Sequence, residues 1–157
     1  MTYTLLFQRV LPDRTFLETL DEVNAAFDPD AEPVPVDLTD EHRAAWDRIT
    51  RRVSADPGQV TCEEFPHGLN LRWTGPEGTL LLDYDGESAS IDIAYRYPGP
   101  AAPPIMARAY RIARVVEEES GLEGYDGVLE QPVATGDVAA AAAALGGTSG
   151  WAQANLT

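Results

Sequence analysis

The stretch from Val60 to Tyr97 constrains the fold most, because four short runs of β-forming residues follow one another with only turn chemistry between them. They are Val60 to Glu64, Leu69 to Trp73, Thr79 to Tyr84 and Ser88 to Tyr97. In the last run Ala89, Ile91, Ile93, Tyr95 and Tyr97 alternate with Ser90, Asp92, Ala94 and Arg96, the period of a strand with one core face and one polar face. Asp85-Gly86 is a two-residue hairpin signal, and Thr74-Gly75-Pro76-Glu77-Gly78 is a looser turn. Consecutive hairpins predict an antiparallel meander, not the strand–helix alternation of a nucleotide-binding sheet.

Helical periodicity lies on both sides of this meander. After an opening strand at Tyr3 to Arg9, the residues Phe16, Leu20, Val23 and Phe27 recur at helical spacing, with Asp13 or Thr15 placed to cap and Glu18 three residues after Thr15, as in a capping box. The prolines of Asp28 to Pro35 predict an extended connector. A second helix is expected from about Thr39 to Ala55, with His42, Trp46, Ile49 and Val53 on its core stripe. Its acids Asp40 and Glu41 and its arginines Arg51 and Arg52 stand at the ends that suit the helix dipole. Beyond a proline-rich loop at Pro98 to Pro104, Ile105, Ala109, Ile112 and Val116 mark a third helix ending at Gly121. A short strand through Tyr125 and an alanine-rich helix from Asp137 to Leu145, stopped by Gly146-Gly147, complete the chain. The expected architecture is α+β, an antiparallel meander of about four to six strands with helices packed on one face. Residues 1–132 form the domain and 133–157 a C-terminal extension with a short helix.

With 26 Asp+Glu against 11 Lys+Arg, the 157-residue chain carries a formal charge of −15. A surface of that sign releases no counterions from nucleic acid or an anionic bilayer, so neither is expected as a partner. No apolar run reaches a membrane span, and the N-terminus lacks a signal-peptide pattern, so a cytoplasmic protein is expected. Cys62 is the only cysteine, which excludes an intramolecular disulfide and a CxxC metal cage.

Lysine is absent, and with it the P-loop and Schiff-base chemistry. No GxGxxG, GxSxG or HExxH motif occurs. Cys62 and His67 stand five apart, but the acids beside Cys62 disfavour a thiolate, and the thiol is read as a buried structural group. His42 is read as a core histidine, and zinc from Cys62, His67 and His42 would need distant segments to converge. Asp83-Tyr84-Asp85-Gly86-Glu87 has the opening composition of a calcium loop, yet its twelfth position is Ala94, and a hairpin turn accounts for it. No catalytic residue, metal or cofactor is expected.

What remains is a surface for protein binding. Tyr95, Arg96 and Tyr97, with Asp83, Asp85 and Asp92, are expected to form a polar and aromatic patch on the outer face of the sheet. Glu117, Glu118 and Glu119 place three like charges in the last turn of a helix, where the dipole prefers cations. Local pairing with Arg111 and Arg114 is one way to offset them, and a basic partner is another.

Met106-Ala107-Arg108-Ala109-Tyr110-Arg111-Ile112-Ala113, followed by Gly121-Leu122-Glu123-Gly124-Tyr125-Asp126, resembles the C-terminal half of small acidic bacterial immunity-like proteins associated with polymorphic toxins. Those proteins commonly read Tyr-Asp-Pro-Gln where this chain has Tyr125-Asp126-Gly127-Val128. The resemblance implies an α+β protein that binds another protein, and it supplies no catalytic residues. The leading expectation is therefore a non-enzymatic acidic domain that neutralises or chaperones a basic protein partner. Two alternatives stay open: a ligand-binding domain or enzyme with a pocket between sheet and proline-rich loop, lined by Tyr95, Tyr97, Trp73 and His67, and a homo-oligomer joined through an apolar stripe from Ala139 to Leu145.

Overall fold

The computed structural model describes residues 1–32 and 35–156. Pro33 and Val34, within the expected extended connector, lie outside the described residues. In chain order the elements are β1 (Thr2–Gln8), α1 (Phe16–Ala26), α2 (Asp40–Ser54), β2 (Gln59–Phe65), β3 (Gly68–Gly75), β4 (Gly78–Tyr84) and β5 (Ser88–Ala94). A 3-10 turn at Gly99–Ala101 leads into α3 (Ala102–Ser120), followed by β6 (Glu123–Asp126), β7 (Gln131–Pro132) and α4 (Val138–Asn155). The protein is α+β, as the hairpins and helical periods predict.

All strands join one antiparallel sheet in the order β2-β3-β4-β5-β1-β6-β7. Among the described residues it has seven strands, one beyond the expected range, the addition being the two-residue β7, which pairs with β6, while β1 enters between the meander and this late pair. Alternation along the strands sends Tyr3, Leu5, Phe7, Leu69, Leu71, Trp73, Leu80, Leu82, Tyr84, Ala89, Ile91 and Ile93 into the core with α2 and α3. At about 25 cal/mol per Å² of apolar area removed from water, this layer dominates the favourable side of folding.

The helix caps follow local chemistry. The Thr15 hydroxyl accepts from the Glu18 N–H at 3.1 Å. At α2 the Thr39 hydroxyl accepts from the His42 N–H, and His42 Nδ1 accepts from the Thr39 N–H at 3.3 Å, so a histidine fills the place usually held by Glu or Gln. Pro103 and Pro104 sit in the first turn of α3, where a missing N–H is harmless, and Gly121 ends it at φ 75°.

Three expectations are corrected. The fifth strand stops at Ala94, and Tyr95 and Tyr97 continue as partly buried loop residues packed against the core. The alanine-rich helix does not end at Gly146-Gly147 but runs through them to Asn155, so it is not short. It packs on α3 with Ala141, Ala142, Leu145 and Ser149 buried and Leu145 in the same core cluster, while Ala139 and Ala143 of the expected stripe stay exposed. Burial of this face against α3 outweighs the roughly 1 kcal/mol that each helical glycine costs. Cys62, expected to be buried, is exposed, because its strand is the outermost of the sheet.

Candidate functional site

Pairing partners share a face, so the register defines the side of the sheet that α2 and α3 leave uncovered. One row runs Thr61, Arg72, Leu81, Asp92, Thr4, and the next runs Glu63, Asn70, Asp83, Ser90, Leu6, Tyr125. Two open hollows indent this face. An open hollow of about 480 Å³ is lined by Leu6, Gln8, Phe65, His67, Asp83 and Ser90, among others. A neighbouring hollow of about 550 Å³ is lined by Thr61, Glu63, Phe65, Asn70, Arg72 and Leu81. Phe65 belongs to both, is 42% exposed, and stacks on His67 with ring centroids 5.9 Å apart. An exposed aromatic side chain is of the kind that protein interfaces enrich.

The predicted partner-binding residues do not form one patch. Asp83 and Asp92 lie on the uncovered face, where Asp83 accepts from Asn70 Nδ2 at 2.7 Å and Asp92 from the Thr4 hydroxyl at 2.7 Å. Asp85 is spent on its own hairpin, accepting from the Glu87 and Ser88 N–H groups and the Ser88 hydroxyl. Tyr95 turns toward Tyr3, 6.3 Å between ring centroids, and burial raises its phenol above the usual range. Tyr97 reaches Thr79, its hydroxyl accepting the backbone N–H at 2.9 Å. Arg96 is exposed beside them.

Two of the glutamates closing α3, Glu118 and Glu119, are paired from within the molecule by arginines of α2 and not by Arg111 or Arg114. Arg48 of α2 donates to Glu119 at 2.8 Å, and Arg52 reaches Glu118 at 2.8 Å and Glu119 at 3.1 Å. These arginines hold the Glu119 carboxyl below the usual range. Glu117 instead accepts the Gly124 N–H at 3.0 Å, and burial lifts its carboxyl above the usual range. Arg48 and Arg52, one turn apart on α2, thus face the acidic last turn of α3, which sequence spacing alone does not show.

The expected chemistry of Cys62 and His67 has no geometry. Cys62 pairs with Leu71 on the helix side of the sheet, whereas His67 lines the hollow on the other side. Desolvation raises the Cys62 thiol, so the thiolate is disfavoured. His42 is half-buried: Nδ1 accepts from Thr39, so the ring proton sits on Nε2, 3.1 Å from the Glu87 carboxylate. Among the described residues no three His, Cys, Asp or Glu side chains converge as a metal site would need. The pocket imagined from Tyr95, Tyr97, Trp73 and His67 does not assemble either. Trp73 is fully buried under Arg108, whose guanidinium lies 5.0 Å from the ring centre and 2.9 Å from both Asp56 and Glu77.

Sequence reasoning placed Asp83 and Asp92 on the outer face and missed Phe65, Glu63 and Leu6. The alternation of β2, in which Thr61, Glu63 and Phe65 share a face, was the signal that could have found the first two. Among the described residues no helix is long and apolar enough to cross a membrane. No protein-family model, curated protein or solved structure matches the chain.

Proposed function

We propose that this chain is a non-enzymatic protein-binding domain that offers its uncovered sheet face to a basic protein partner, in the manner implied by the resemblance to immunity-like proteins. The observation that carries the proposal is the indented, net acidic face itself, with Phe65, Leu6 and Leu81 as apolar contacts and with Glu63, Asp83 and Asp92 as charges against Arg72. The net charge supports it. Of the 11 basic residues, Arg9, Arg14, Arg43, Arg48, Arg52 and Arg108 already pair with carboxylates of the chain. The remaining arginines leave most of the 26 acids without a basic counterpart. Such a field speeds capture of a basic protein and repels nucleic acid.

The immobilised chain, exposed to lysate at low and high salt, is expected to retain a basic protein that high salt releases. Phe65→Ala combined with Asp83→Asn is expected to weaken that retention by roughly tenfold or more, since anchors at the centre of an interface dominate its energy. Retention indifferent to salt and to both substitutions would remove the proposal.

A further inference from the structure

The apolar stripe of α1 begins on the sheet and runs off it. Phe16 is buried and stacks on Tyr125 with centroids 5.1 Å apart and planes 22° apart. Leu20, one turn on, is half-buried. Val23, on the same stripe, is 52% exposed, and Phe27, the extended residue that caps the end of the helix, is 73% exposed. With Leu11 and Leu17 they make four of the nine large exposed apolar residues among those described, gathered in one segment. Isolated exposed apolar residues need no explanation, but a clustered stripe marks an interaction site.

The charge around the stripe restricts what can cover it. Between Leu11 and Glu32 the carboxylates are Asp13, Glu18, Asp21, Glu22, Asp28, Asp30 and Glu32, against Arg14 alone, and Arg14 is already paired with Glu22. A second copy would bring this acidic segment against itself, and an anionic bilayer would repel it. A basic segment with its own apolar stripe satisfies both features, and a helix matches the spacing of Phe16, Leu20, Val23 and Phe27. Tyr125, on which Phe16 stacks, pairs with Leu6 of the uncovered face, so the two surfaces are continuous.

We infer that α1 with its capping residue Phe27 is a docking arm, on which Val23 and Phe27 receive a basic amphipathic helix of the partner. This rests on the basic-partner proposal above and names a second, separable surface for it. The stripe supplies apolar anchoring, and Glu18 and Asp21 face the partner's cations along its rim.

The test uses a synthetic peptide of leucine and lysine, about 16 residues long so that it can form a helix on contact. Leucines are placed at helical spacing. A scrambled peptide of equal composition and a leucine–glutamate version serve as controls. The ordered basic peptide is expected to bind, to shift the backbone NMR signals of residues 16–27, and to weaken as salt rises. The double substitution Val23→Ser and Phe27→Ser is expected to lower its affinity roughly tenfold or more. The NMR map on the unaltered chain keeps the test decisive should that variant fold poorly.

Equal binding of ordered and scrambled peptides would overturn the inference, as would self-association abolished by the double substitution. Signals confined to Phe65, Asn70 and Asp83, with affinity unchanged in the variant, would overturn the docking arm while leaving the basic-partner proposal standing. Failure of both lysine peptides to bind would overturn the two together.

Discussion

The Tyr3 hydroxyl donates to Asp126 Oδ2 at 2.6 Å, tying the first strand to a residue 123 positions later. The Tyr110 hydroxyl donates to the same oxygen at 2.6 Å, and Oδ1 accepts the N–H groups of Val128 and Leu129. Asp126 is fully buried, so these donors replace its hydration. Gln131 extends the network, donating to the Tyr110 hydroxyl and accepting the Asp137 N–H at the start of α4. Strand, helix and C-terminal segment thus meet on one carboxylate.

Removing either phenol hydroxyl leaves part of that carboxylate unsatisfied. Tyr3→Phe and Tyr110→Phe are each expected to cost roughly 1.5–3 kcal/mol, the range for hydrogen bonds to charged groups, and Asp126→Ala more than either. Urea unfolding of the three variants measures this; equal stability to the unaltered chain would contradict the network's role.

The same network sets an alkaline limit. Desolvation, reinforced by hydrogen bonding to Asp126, raises both phenols above their ordinary range. The unfolded chain releases phenolic protons near pH 10, and the folded chain keeps them, so the folded state binds more protons there. Stability is therefore expected to fall as pH rises past about 10. In Tyr3→Phe the fall should be shallower, as thermal melts across that range would show.

On the acid side the two glutamates of α3 act in opposite directions. Glu119 has a depressed folded pKa, so its contribution is present above the unfolded value and lost as pH falls. Glu117 has a raised one, so its ionisation opposes folding as pH rises. Near neutral pH, Glu119→Gln is expected to lower the melting temperature and Glu117→Gln to leave it unchanged or raise it. Parallel shifts in the two would refute this account.

At α2, His42 caps the helix and reaches Glu87 across the β4–β5 turn, where Gly86 leaves it room. A Cβ on Gly86 would stand 2.5 Å from His42 Nδ1, at a backbone φ of 96°. His42→Ala should cost about 1 kcal/mol through the lost cap, and Gly86→Ala more, since it adds strain to a displaced ring. A chemical melt ranks the two.

Leu145, fully buried where α4 meets α3, tests whether the C-terminal helix belongs to the core. Leu145→Ala is expected to cost about 2–5 kcal/mol. A melt unchanged by it would instead mark α4 as an appendage.

The elements themselves were legible in the sequence because their causes are local. Alternation in Ser88 to Ala94, the Asp85-Gly86 turn, the helical stripes and the Gly121 stop all act within a few residues, and the four meander strands and three of the helices follow from them. Gly146-Gly147 misled for the same reason: local propensity disfavours helix there, and only burial against α3 overrides it. Half of the candidate face was legible too, since alternation alone puts Asp83 and Asp92 on one side.

What only the tertiary structure decided is who meets whom. The acidic turn of α3 looks uncompensated along the chain, yet its arginines come from α2, 66 and 71 residues away. The stripe of α1 reads as core, yet beyond Phe16 the sheet ends and Val23 and Phe27 are left outside. Periodicity states that a face is apolar, not what will cover it. That depends on strand order and helix placement, which arise from contacts between residues far apart in sequence.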